Sequence, residues 1–167
     1  MSGDIPTVGI SISEPDGNEM GQLGIGLVHL QDAMVETARF LLSKGYKLAY
    51  GGDLNYVGVF NFTELLFQLG RTYGGIEGRI TNYSALPYYT KITEVRKAEL
   101  VNIASIIKIN PSDQYNRWTD VQYNNASAED RQYLDGLFEA KDKESFNVVA
   151  DSLTVMRKKM TNEIQCR

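Results

Sequence analysis

The apolar run Lys47-Leu48-Ala49-Tyr50 stops at Gly51-Gly52-Asp53. A glycine pair at the C-terminal end of a strand lets another group approach the backbone, because no Cβ stands in the way. Other polar residues fall at comparable points. Ser11, Ser13 and Glu14 lie at and after the end of a first apolar run, Thr63 and Glu64 open a helical pattern, and Asn82 and Tyr83 end a third run. Together they offer small residues, hydroxyls, an amide, carboxylates and an aromatic face. That set suits a sugar or nucleotide: backbone N–H groups for phosphate, carboxylates for ribose hydroxyls, a ring for a base.

Each residue also has a plainer use. Gly51-Gly52 serves equally as a tight strand-to-loop turn, Asp53 as a turn cap, and Glu64 as the reciprocal half of a capping box. A valine at Gly52 is expected to block a ligand's approach while leaving the fold largely intact. Gly21, Gly24 and Gly26 do not match G-x-G-x-x-G, and no G-x-x-x-x-G-K-[ST] is present.

Catalytic groups are few. Cys166 is the only cysteine and His29 the only histidine, which excludes a disulfide framework, a cysteine metal site and a zinc centre with several imidazoles. His29, near a helix start, reads as structural. No G-x-S-x-G elbow occurs. Glu14, Asp53 and Glu64 form a carboxylate set that a nucleotide N-glycosidase could use to stabilise a ribosyl cation, by analogy with sugar hydrolysis. No metal and no cofactor is expected.

The elements that must position these residues are strands alternating with helices. Strands are expected over 7–13, 47–50, 79–83 and 104–109, the last closed by Asn110-Pro111. Apolar residues at Leu27, Leu30, Met34, Ala38, Leu41 and Leu42 have helical spacing, with Gly45 as the stop. Asn61-Phe62-Thr63-Glu64 opens a second helix, a short helix covers 93–100, and Ser127 caps another. Residues 112–125, with Tyr115, Trp118 and Tyr123, read as an ordered loop that packs on the core. The last segment carries an apolar stripe of Phe146, Val149, Leu153, Met156 and Met160. This alternation predicts an α/β Rossmann-like layered fold, one domain over 1–167 with a mostly parallel sheet flanked by helices.

Composition narrows the partners. The 167 residues are 43% hydrophobic and 23% charged, with a net charge of −4. That gives no electrostatic footprint for direct nucleic-acid contact or an anionic membrane. There is no signal-like start and no apolar run of spanning length, so a cytoplasmic location follows by default.

The segments GISISE, GIGLVHLQDAMVETARFLLSKGYKLAYGGDL, FTELLF, ITNYSALPYY and SLTVMRKKM, in this order, resemble the SLOG superfamily. The likeness is nearest to its nucleotide-sensor branch, found beside bacterial defence and signalling proteins. The superfamily also holds the LOG phosphoribohydrolases, the DNA-processing protein DprA and ligand-binding modules of melastatin-type channels. The resemblance implies that Ser11, Gly51, Gly52, Asp53, Thr63 and Asn82 contact a nucleotide-derived ligand. One departure stands out. The phosphoribohydrolase element P-G-G-x-G-T-x-x-E, which supplies phosphate binding and the catalytic glutamate, does not occur. The expected protein is therefore a C-terminally shortened SLOG domain that binds a nucleotide-derived signal in a bacterial stress or antiphage system. It is not expected to hydrolyse nucleotides alone. The alternatives are a phosphoribohydrolase-like enzyme and a scaffold with no small ligand. A sheet lacking its next strand, with the final apolar stripe beside it, implies a homodimer or a complex with a second chain.

Overall fold

The structure is a computed structural model that describes residues 5–11, 22, 24–52, 54, 62–73, 79–115 and 121–165. Four strands, β1 (Thr7–Ile10), β2 (Lys47–Gly51), β3 (Ile80–Ala85) and β4 (Ala104–Ile109), form one sheet in the order β1-β2-β3-β4. Every pairing is parallel, with Gly9 opposite Ala49, Gly51 opposite Tyr83 and Ala85 opposite Ile109. The helices are α1 (Leu27–Ser43), α2 (Phe62–Tyr73), α3 (Glu94–Leu100), α4 (Ala128–Glu139) and α5 (Lys143–Gln165). This is the Rossmann-like α/β layering that the alternation predicts.

Local signals explain the helix ends. At the start of α1 the Gly26 N–H donates to His29 Nδ1 at 2.9 Å, so the single histidine caps its own helix. Gly45 follows α1 at φ +87°, a left-handed conformation that glycine adopts without a Cβ clash. The Tyr46 N–H then donates to the Leu41 carbonyl at 3.1 Å. Thr93 caps α3 and Ser127 caps α4, each accepting from the backbone three residues on. Asp142 caps α5, where its Oδ1 accepts from the Ser145 N–H at 2.7 Å.

Alternation along the strands sorts the core into two parts. Ile10, Leu48, Tyr50 and Ile80 face α1 and α2 and join Met34, Ala38, Leu42, Leu66 and Phe67; Leu100, Leu134 and Leu137 are among the other members of this larger cluster. Ala49, Tyr83, Ala85 and Ile109 face the other way and meet Met156, with Leu153, Met160 and Ile164 against them. Thus α5 covers the second face. Its middle meets the C-terminal ends of the strands, where Met156 lies over Gly51, and its last turns reach the N-terminal ends, where Glu163 and Ile164 line a recess with Thr7, Lys47 and Thr81. Asp151 of α5 also accepts from the Ser112 N–H at 2.6 Å, just beyond β4.

The apolar stripe of α5 is largely spent within the chain. Val149 packs on the larger core and Leu153, Met156 and Met160 on the smaller one, while Phe146 stays 59% exposed. Beside the end of α5 the sheet face turns polar. Thr7, Lys47, Thr81 and Ser105 line a shallow recess of about 310 Å³ there. Parallel strands buried on both faces are usually apolar throughout, so these polar residues mark where α5 covers the face less closely, with Glu163 and Ile164 at the rim of the recess. Among the described residues no helix is long and apolar enough to cross a membrane.

Candidate functional site

At the C-terminal ends of β2 and β3, the sheet and α5 enclose a pocket of about 360 Å³. Gly51 and Gly52 form one wall, Tyr83, Ala85 and Tyr88 a second, and Leu153 and Met156 of α5 the third. The ends of parallel strands are where open α/β sheets bind ligands. The volume lies at the low end of the range for small-molecule sites.

The two glycines answer to opposite faces. A Cβ on Gly51 would lie 2.6 Å from Met156 Cε, so the missing side chain is what lets α5 approach β2. A Cβ on Gly52 would lie 2.3 Å from Tyr50 Cε1 and 2.6 Å from Thr63 Oγ1, on the α2 face. Tyr50 and Thr63 are themselves hydrogen-bonded. Burial pushes the Tyr50 hydroxyl above its ordinary pKa, and the bond to Thr63 pulls the other way. The space beside Gly52 that a branched side chain would need is therefore filled by this chain. That corrects the expectation that valine at 52 leaves the fold largely intact.

The remaining expected ligand contacts divide accordingly. Tyr83 lines the pocket and its hydroxyl donates to Glu163 Oε2 at 2.5 Å, tying β3 to the last turns of α5. Thr63, 2% exposed, is packed under Tyr50 and Gly52 rather than on the pocket. Asn82 is fully buried on the same face, and its Nδ2 donates to the Gly52 carbonyl at 3.3 Å. That bond holds the glycine turn from behind. Glu64 is ion-paired with Arg96 of α3, joining two helices on the α2 side. Ser11 is exposed just past β1. Ser13, Glu14 and Asp53 lie outside the described residues, as do Asn61 and Trp118. Tyr115 and Tyr123 pack against the larger core, with the Tyr123 hydroxyl donating to Asp135 Oδ1 at 2.8 Å.

Sequence reasoning missed four lining residues: Ala85, Tyr88, Leu153 and Met156. Leu153 and Met156 were legible only as members of an apolar stripe. Tyr88 had a signal, since an aromatic pair directly follows the end of β3 at Leu86-Pro87. The ring of Tyr88 meets Phe138 of α4 edge-on, with centroids 6.1 Å apart and planes at 75°. Phe138 meets Tyr123 in the same manner at 6.1 Å, and Lys91 Nζ sits 3.6 Å from the Phe138 centroid. Tyr88 is thus held by an aromatic cluster rather than free to rotate.

Chemically, the described lining offers backbone groups, two tyrosines and apolar side chains, with no carboxylate, imidazole or amine. It can hold a ligand against a largely apolar wall. It supplies no acid–base pair among the described residues.

The family model described as SLOG cluster2 fits residues 4–167. No curated protein and no solved structure matches the chain.

Proposed function

Because the chain belongs to the SLOG superfamily, we propose that it is a binding module for a nucleotide-derived small molecule, serving signal sensing in a bacterial stress or antiphage system. The observation that carries this reading is the pocket at the ends of β2 and β3, walled on one side by the Gly51-Gly52 backbone. Its place at the carboxyl ends of parallel strands is where open α/β sheets take ligands. The hydrolase alternative needs a carboxylate at the bond that breaks, and Glu64, one of its three candidates, is engaged with Arg96 on the opposite side of the sheet.

The second chain expected from the sequence stays in the proposal on one ground. Among the described residues β1 and β4 are the sheet edges, and an edge strand is a template for pairing. The α5 stripe no longer argues for it, being mostly covered within the chain.

Native mass spectrometry of the purified chain tests both parts. The expected spectrum carries a retained nucleotide-sized adduct, or acquires one from a panel of mono- and dinucleotides, together with a dimer at micromolar concentration. A chain that takes up no member of the panel removes the binding reading. Release of free base or ribose phosphate from the panel would promote the hydrolase. A monomer at every concentration removes the second chain.

A further inference from the structure

We propose that the pocket between β2, β3 and α5 receives the planar base of the ligand and not its phosphate, with Tyr88 as the residue that recognises the ring. The proposal rests on the nucleotide-binding reading above and assigns the pocket to one end of that ligand.

Three observations point the same way. First, the described lining carries no lysine or arginine, while Ala85, Leu153 and Met156 make it mostly apolar. A phosphate placed there would lose its water without gaining a cation. A heteroaromatic ring would bury its faces against that apolar surface. Second, Tyr88 is half-buried, lines the pocket, and is held edge-on by Phe138, whose ring in turn meets Tyr123 and Lys91. An aromatic ring fixed before binding loses little freedom when a base stacks on it. Third, the Met156 thioether is buried against Gly51, on the wall the base would meet. Thioethers make favourable contacts with aromatic rings. About 360 Å³ is room enough for one base and its sugar.

The test is binding of AMP, GMP, adenosine, guanosine and ribose 5-phosphate to the whole chain by calorimetry, with saturation-transfer NMR on the bound purine nucleotide. The expected result is that the nucleoside retains most of the affinity of its monophosphate, ribose 5-phosphate does not compete, and saturation is strongest on the base protons. Tyr88→Leu should weaken binding about tenfold, and Tyr88→Phe, which keeps the ring, by less than about threefold. Should Tyr88→Leu fail to fold, the NMR contrast between base and ribose protons on the unaltered chain decides the matter alone. Ribose 5-phosphate binding as tightly as AMP, or saturation strongest on ribose protons, overturns the base assignment and leaves the nucleotide-binding reading standing. Failure of all five probes to bind at millimolar concentration overturns the base assignment, and failure of the whole panel of mono- and dinucleotides overturns the binding reading as well.

Discussion

Met156 of α5 rests on Gly51 of β2: its Cε lies 2.6 Å from where a Cβ on that glycine would be. The contact sets how closely the helix lies on the sheet, and both residues line the pocket. Because the methionine tip is the mobile end of a flexible side chain, it can yield to a methyl group. Gly51→Ala should therefore cost only about 1 kcal/mol. Met156→Ala should cost about 2–4 kcal/mol, for lost burial and the cavity it leaves. The double variant should be more stable than the sum of the two by at least about 0.5 kcal/mol, because the new methyl enters vacated space. Urea denaturation of the four proteins measures this, and strict additivity would refute the contact.

Gly52 should behave differently. Its missing Cβ faces the Tyr50 ring and the Thr63 hydroxyl, which are buried and bonded to each other. Neither can step aside without disturbing the start of α2. Gly52→Val should lose about 2–3 kcal/mol by overpacking, well beyond the loss for Gly51→Ala. The midpoint of urea unfolding tests this, and a variant as stable as the unaltered chain would show that the turn has room. Loss of ligand binding in Gly52→Val would, on this reading, report a damaged fold rather than a blocked approach.

Glu64 separates a structural carboxylate from a ligand-binding or catalytic one. It pairs with Arg96, which also reaches Glu99 at 3.1 Å. Both side chains of the Glu64–Arg96 pair are partly exposed, so the pair is screened and contributes little. Glu64→Gln should cost less than about 1 kcal/mol of stability. Nucleotide affinity should change by less than about twofold, because the pair lies on the α2 side of the sheet. A loss of affinity beyond tenfold with stability intact would return Glu64 to the site.

These outcomes bear on what the chain made legible. Where one local signal decides, reading worked. Asn110-Pro111 closes β4 after Ile109, Gly45 stops α1, and Ser127 caps α4. Where a partner far along the chain decides, reading stopped short. Thr63 at a helix start looks like a ligand hydroxyl, but Tyr50, on the same sheet face as Gly52, bonds to it. Glu64 looks like a capping-box acid until Arg96 is brought beside it. The glycine pair looks like one device in the sequence, whereas alternation sends its two positions to opposite faces, one to admit Met156 and one to admit Tyr50 and Thr63. The apolar stripe from Phe146 onward marks the body of α5, while its start is set by the Asp142-x-x-Ser145 cap.

Tyr50 should make stability depend on alkaline pH. Burial raises its pKa above the ordinary tyrosine value of 10.0, with the Thr63 bond opposing in part. The folded chain therefore keeps the proton more tightly than the unfolded chain does. Stability from this site is complete below the unfolded value and falls as pH rises from about 10 through the folded pKa, because the unfolded chain ionises first. Tyr50→Phe removes the hydroxyl and its bond, which should cost about 1 kcal/mol near neutrality. It also removes the titration. The stability gap between the two proteins should then be constant from about pH 7 to about pH 9 and narrow from about pH 10 upward. Other tyrosines and the lysines titrate in both proteins and cancel in the difference. Urea midpoints measured in parallel across that range decide it: two profiles that stay parallel to about pH 11 would mean that the Tyr50 hydroxyl reaches water, and that the packing of Tyr50 and Thr63 behind the Gly52 wall is looser than the structure has it.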